Sequence, residues 1–146
     1  MLLTTAKFTG KFSIGQFTLN ESLLEDYINN YEERFFLSFF VDDYYDDLQT
    51  RLLSIDPQVK ADAEKEWKRI ERNAVAYIWL QYVTNEQVQL TGAGITSPDE
   101  QNATVVNMDV QCLRYYNDMI SDLKLAEVKN KNIIKKKLKY RNPFGL

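Results

Sequence analysis

Apolar residues recur at helical spacing in the first third of the chain. They return every three or four positions, the spacing of one face of an α-helix, as Leu24, Ile28, Tyr31, Phe35 and Phe39. Ser22 and Glu25 have the spacing of a capping box, and Asn20 is an alternative cap. The pattern therefore predicts a long amphipathic helix that begins near residue 20.

Two further helices follow in the pattern. The first is short, from about residue 43 to residue 53, with Tyr44, Leu48 and Leu52 facing inward. Asp56 and Pro57 mark the start of the second, because aspartate accepts hydrogen bonds from free amides and proline suits the first helical position. We expect this helix to run to about residue 83. Its apolar face comprises Ala63, Trp67, Ile70, Ala74, Tyr77 and Ile78, and its charged face comprises Glu64, Lys65, Lys68, Arg69 and Arg72.

Two segments interrupt the helical pattern. Residues 7–19 place Phe8, Phe12 and Ile14 at even positions among glycines, which predicts an extended arm or a short strand. Residues 84–104 alternate in polarity and then turn on Gly92 and Gly94, which indicates a β-hairpin or a protruding loop.

The last long helix is expected to begin between residues 97 and 107. Its predicted buried face consists of Val106, Val110, Leu113, Tyr116, Ile120 and Leu123. The fold class is therefore mainly α: a small bundle of about four helices with an extended N-terminal arm, a β-hairpin or loop between the last two long helices, and an extended C-terminal tail. With 146 residues, the chain fits one helical domain over residues 1–128 followed by a tail over residues 129–146.

The composition removes most catalytic and metal-binding chemistry. The chain contains no histidine and a single cysteine, Cys112, so neither a Cys/His zinc site nor a Ser-His or Cys-His nucleophile pair can form within it. The acidic segment from Asp42 to Asp47 lacks the glycine turn and closing glutamate of a calcium loop, so helix capping or a solvated face explains it better. Glu32 and Glu33 are likewise expected on an exposed helical face. We therefore predict that the protein is not an enzyme and holds no cofactor or metal.

Apolar runs in the chain are too short for a membrane span. The longest, over residues 35–41, is far below the roughly 20 residues that a bilayer requires, and the N-terminus has no secretory pattern. Adjacent tyrosines at Tyr44-Tyr45 and Tyr115-Tyr116 cannot both face inward on one helix. One of each pair is therefore expected to be exposed or to meet a partner.

The net charge of −3 conceals a sharp division of charge. Seven of the 18 basic residues lie in residues 129–146, which contain no acidic residue, so residues 1–128 carry a formal net charge of −10. Such a tail could be a solvated helix end, bind nucleic acid, or dock on an acidic protein surface, including another copy of the body. Apolar residues among the lysines favour docking. The candidate docking residues are Lys131, Ile134, Lys135, Lys136, Leu138, Tyr140, Arg141 and Phe144.

Residues 24–48 resemble the opening of a family of tailed-bacteriophage head–tail connector proteins, also called head-completion or adaptor proteins. That family has an aliphatic residue, then I-x-x-Y-E, a hydrophobic run and a tyrosine-bearing second helix. The matching positions here are Leu24, Ile28, Tyr31, Glu32, Phe36, Leu37, Phe40, Tyr44 and Leu48. The chain departs from the family at the end of the first helix, where it has Phe39-Phe40-Val41 instead of Leu-Leu-Gly.

The resemblance implies a virion structural protein at the head–tail junction, assembled in the host cytoplasm. It would form a homo-oligomeric ring, commonly a dodecamer, that binds the portal protein and neighbouring tail proteins and extends the channel for DNA without sequence-specific binding. Subunit contacts are expected at Gln87, Val88, Leu90, Gly92, Gly94 and Ile95, with the tail docking on the portal or another partner. The alternative function is a small nucleic-acid- or regulator-binding helical module that uses its basic tail.

Overall fold

The computed structural model describes residues 2–12, 21–85, 98–129 and 134, and the chain over these residues is mainly α-helical. Four α-helices follow one another: α1 at Glu21–Phe39, α2 at Tyr44–Leu52, α3 at Pro57–Asn85 and α4 at Pro98–Lys129. The predicted fold class and number of helices are therefore confirmed. Of the segment predicted as a β-hairpin or loop, residues 84–85 and 98–104 are helical, so the prediction is wrong there, and residues 86–97 lie outside the described residues.

The long helix α3 is the centre of the bundle. Helices α1, α2 and α4 and the N-terminal segment (residues 2–12) all pack against it. Aromatic rings pair in reverse order along α1 and α3, with centroid distances of 5.1 Å between Tyr27 and Tyr82 and 5.7 Å between Phe35 and Tyr77. The two helices are therefore antiparallel neighbours, joined by ring contacts that add about 0.5–1.5 kcal/mol each beyond their buried area.

The N-terminal segment runs over the helices as two short 3₁₀ turns, Thr5–Lys7 and Gly10–Phe12. The sequence correctly places this segment outside the α-helices, but the strand alternative is wrong over residues 7–12. Gly10 has φ of 62°, a left-handed conformation that is easiest for glycine, and it lets the chain turn between Phe8 and Phe12. Both phenylalanines and Leu3 are buried in the core.

The helix boundaries follow the sequence signals with two corrections. Asp56 accepts a hydrogen bond from the Gln58 amide at 2.9 Å, and α3 begins at the following proline as predicted. Helix α1 begins one residue before Ser22, so Ser22 lies inside the helix instead of capping it, while the alternative cap lies outside the described residues. Among the side chains of α4 that the structure describes, those at residues 110–125, the buried ones are Met119, Ile120 and Leu123.

The apolar stripe predicted for α4 extends too far towards its N-terminus. Val110 is 51 % exposed, and Leu113 and Tyr116 are only partly buried. The side chain of Val106 lies outside the described residues. Helical spacing predicts which residues share a face, but it does not predict how much of that face a neighbouring helix covers.

Candidate functional site

Most residues predicted to contact other proteins lie outside the described part of the chain. This holds for the six subunit-contact residues and for every tail candidate except Ile134. Ile134 forms an isolated antiparallel β-bridge with Phe40, and its side chain is 2 % exposed. The structure therefore places Ile134 in the core of its own chain, where it anchors the start of the tail beside the end of α1.

The most unusual polar residue in the described core is Glu32 of α1. Its side chain is 2 % exposed, whereas the sequence indicated a solvated face. Its carboxylate accepts backbone hydrogen bonds from the Leu2 amide at 2.8 and 2.9 Å and from the Leu3 amide at 2.6 Å, and a further one from the Tyr45 hydroxyl. Glu32 therefore fixes the start of the N-terminal segment onto α1 with donors that come from about 30 positions away in sequence.

The register of α1 could have revealed this burial. Residues 24, 28, 32, 36 and 40 are four positions apart, and the other four of them are apolar and buried. Glu32 thus stands at an apolar position of a helical stripe, and a carboxylate there needs hydrogen-bond donors from elsewhere. The local pattern cannot identify those donors, because they are backbone amides of another segment.

A second carboxylate, Glu66 of α3, joins α3 to α2. The Arg51 guanidinium donates to it at 2.8 and 3.3 Å and also to Asp47 at 2.8 Å, and the Tyr44 hydroxyl donates to Glu66 as well. Burial acts to raise the pKa of Glu66, but the hydrogen bonds from Arg51 and Tyr44 outweigh it and hold that pKa below its usual value. Burial and the bond to Glu66 raise the pKa of Tyr44 above its usual range.

The adjacent tyrosines of α2 reach two different helices. Tyr44 stacks on Phe40 at 4.9 Å and donates to Glu66 of α3, while Tyr45 stacks on Phe36 at 4.6 Å and donates to Glu32 of α1. Burial, followed by the bond to Glu32, raises the pKa of Tyr45. The expectation of an exposed or partner-bound tyrosine is therefore wrong for this pair, because both hydroxyls are used within the chain.

Both glutamates are engaged in holding segments together. Their oxygens accept bonds from groups of the same chain, and Glu32 is closed off from solvent. The single cysteine, Cys112, is partly buried against the core. Among the residues whose side chains the structure describes, no group of Cys, Asp and Glu is arranged to hold a metal ion.

A concave basic surface lies between the N-terminal segment and α3. We call it the basic groove; it encloses about 320 Å³ and is lined by Lys7, Lys11, Lys68 and Arg72, together with Glu71. Lys7 pairs with Glu71 at 3.2 Å. The groove was not predicted, because its cations come from two segments that only the fold brings together.

An acidic surface lies at the connection from α1 to α2. We call it the acidic turn; it consists of Asp42, Asp43, Asp46 and Asp47, and all four are exposed. Asp43 stands at the N-cap position of α2 without a side-chain capping bond, and Asp46 and Asp47 lie in the first turn. Acidic side chains at this end favour the helix dipole, as the sequence suggested.

Two apolar side chains stand out at the connection between α2 and α3. Leu53 is 84 % exposed and Ile55 is fully exposed. Single exposed apolar residues are common on soluble proteins, but two so close together form a small apolar tip.

Comparison of the chain with models of known protein families, with curated proteins and with solved structures gives no match. Within the described residues, no helix combines the length and the apolar character needed to cross a bilayer.

Proposed function

We propose that the protein is a virion structural protein without enzymatic activity, which forms an oligomeric ring between the capsid portal and the tail of a tailed bacteriophage. The ring would extend the DNA channel and offer a platform to neighbouring tail proteins. Its work would be done by surfaces, so the chain needs a rigid body and complementary patches instead of a reaction centre.

The observation that carries this proposal is the buried Glu32. Of the nine positions that resemble connector proteins, seven are buried, and six of these are apolar or aromatic residues that any helical core would select. Glu32 is different, because a core position does not favour a carboxylate unless something specific requires it. Here it accepts hydrogen bonds that hold the N-terminal segment on α1. The glutamate of the Tyr-Glu pair that resembles the connector family therefore has a structural role in this chain.

Charge distribution gives separate support for assembly. The body carries a formal net charge of −10 over residues 1–128, and the basic tail follows directly on it. Closed rings are built from heterologous contacts, in which one patch of a subunit meets a different patch of the next. Patches of opposite sign on one chain suit that requirement.

The second candidate is a small nucleic-acid-binding module, and the basic groove is the observation that favours it. Its binding would fall steeply with salt concentration, because phosphate contacts release counterions. Formation of a ring from protein subunits, by contrast, would not depend on added DNA.

Truncation of the tail tests the proposal. Because Ile134 is in the core, the deletion should start after it, at residue 135. We expect the variant lacking residues 135–146 to keep its helical circular dichroism and to lose binding to the portal protein encoded by the same genome. In the matched control, Lys135, Lys136 and Lys137 become Gln, which removes charge but keeps the apolar residues.

The measurement is sedimentation velocity of each variant alone and with the portal protein. Wild type that sediments as a large species with the portal supports the proposal. Wild type that stays monomeric with and without the portal, and binds duplex DNA with a steep salt slope, contradicts it and favours the second candidate.

A further inference from the structure

The basic groove contains cations that the described part of the chain does not neutralise. Lys68 and Arg72 are exposed, four residues apart on α3, and neither forms an ion pair with any side chain that the structure describes. Like charges at this spacing destabilise a helix. Lys11 adds a third charge beside them, its ammonium 4.7 Å from the centre of the Tyr115 ring. The groove is therefore a concave cationic surface suited to an acidic ligand.

The same chain carries an exposed acidic surface, the acidic turn. It lies against the side of α3 that holds Glu66, because Tyr44 at the start of α2 donates to Glu66. At about 100° per residue, Lys68 and Arg72 lie about 160° and about 120° from Glu66 around the axis of α3. The cations of the groove on α3 thus face a different side of the central helix from Glu66.

Two surfaces of opposite sign on different sides of a subunit can form a head-to-tail contact. We infer that the basic groove of one copy, through Lys68 and Arg72, receives the acidic turn of the next copy, through Asp43 and Asp46. This inference rests on the proposed ring, and it identifies one of the contacts that build it.

A second copy suits the groove better than nucleic acid does. Glu71 inside the groove is unfavourable beside a phosphate but is compatible with a protein surface of mixed charge. A continuous run of phosphates would need a basic stripe, whereas the groove is a single concave patch of about 320 Å³.

Charge reversal with rescue tests the contact in the full-length chain. The variants are K68E/R72E in the groove, D43K/D46K in the acidic turn, and the fourfold variant that combines them. K60E/K65E is the matched control for the groove, because both lysines are exposed on α3 outside it. E21K/E25K is the control for the acidic turn, since it reverses two exposed acids at the start of another helix.

Self-association is measured by sedimentation equilibrium at low and high salt, and folding by circular dichroism. We expect each double reversal to weaken association about tenfold or more, because like charges then face each other. The fourfold variant should recover most of the loss, and the two control variants should associate like wild type. Rescue is the decisive result, since a variant that merely misfolds cannot be restored by further charge reversal.

Three results would overturn the inference. One is that K68E/R72E associates as strongly as wild type. Another is that the fourfold variant associates no better than the double variants. The third is that K68E/R72E abolishes binding to a duplex oligonucleotide while self-association is unchanged, which assigns the groove to DNA. In all three cases the ring remains if wild type still forms a large species with the portal, so this failure is distinct from failure of the proposed function.

Discussion

Glu32 and Glu66 are both glutamates in contact with the core, and they are satisfied in different ways. Glu66 has a cation, Arg51, and its hydrogen-bond donors among the described residues lie on α2, the neighbouring helix. Among the described residues, Glu32 has no cation as a partner and depends on two backbone amides of the N-terminal segment and on Tyr45. The Glu66 cluster is therefore stable as soon as α2 meets α3. The Glu32 cluster requires a distant segment to arrive, so it couples the N-terminus to the rest of the fold.

Deletion of residues 2–12 should lower the free energy of unfolding more than any other change considered. The deletion removes Leu3, Phe8 and Phe12 from the core as well as the amides that satisfy Glu32. At about 1.5–3 kcal/mol for each buried side chain, we expect the free energy of unfolding to fall by about 5 kcal/mol. Urea denaturation followed by circular dichroism measures it, and a loss below about 1 kcal/mol would contradict the core position of the segment.

Replacement of Glu32 and replacement of Glu66 should also have different effects on stability in the variant that lacks residues 2–12. E32L should be neutral or stabilising there, because Glu32 has lost its amide donors, but strongly destabilising in the full chain. E66L is the matched control. Its cost should be the same in both backgrounds, because none of the partners of Glu66 belongs to the N-terminal segment.

The amide variants E32Q and E66Q should differ in the full chain. E32Q should lower the free energy of unfolding by about 3 kcal/mol, because an amide nitrogen replaces an acceptor among buried donors. E66Q should cost only about 1 kcal/mol, since Glu66 is partly exposed and Arg51 keeps Asp47 as a partner. Equal costs in urea denaturation at neutral pH would contradict the distinction.

The difference in stability between wild type and E66Q should depend on pH. The pKa of Glu66 is lowered in the folded state, so its contribution to stability is present above the unfolded pKa of about 4.3 and is lost as pH falls below it. The difference in stability between wild type and E66Q should be constant from pH 6 to pH 8 and shrink below about pH 4. Denaturation curves at several pH values measure it, and a difference that is independent of pH would contradict the ion pair.

Substitution of each adjacent tyrosine should cost less stability than E32Q does. Y45F removes a donor from Glu32, and Y44F removes one from Glu66, while both leave the stacked rings in place. We expect a loss of about 2 kcal/mol for Y45F and about 1 kcal/mol for Y44F, because Glu66 retains Arg51. A urea midpoint that is lower for Y44F than for Y45F would show that Glu32 is the better satisfied carboxylate.

The sequence predicts those parts of the fold that depend on local pattern. The start of α3 at Pro57 and the inward positions of Tyr44 and Leu48 were predicted, because capping and helical spacing are read from neighbouring residues. The 3₁₀ turns around Gly10 were not, since alternating phenylalanines suggest a strand when the packing surface is unknown.

The surfaces depend on tertiary structure and were predicted less well. The acidic turn was visible as a run of aspartates, but the basic groove joins Lys7 and Lys11 to Lys68 and Arg72, which are about 60 positions away. Ile134 was predicted to contact a partner protein, and only the fold shows that it pairs with Phe40 of its own chain. Contacts between distant segments leave no periodic trace in one sequence, so such surfaces could not be found before the structure.

Direct imaging of the assembled protein tests whether this chain forms a ring. The measurement is negative-stain electron microscopy of the full-length protein, alone and mixed with the portal protein of the same genome. We expect closed rings with a central channel, at least in the presence of the portal. Isolated monomers in both samples, at concentrations where circular dichroism shows the helices folded, would contradict it.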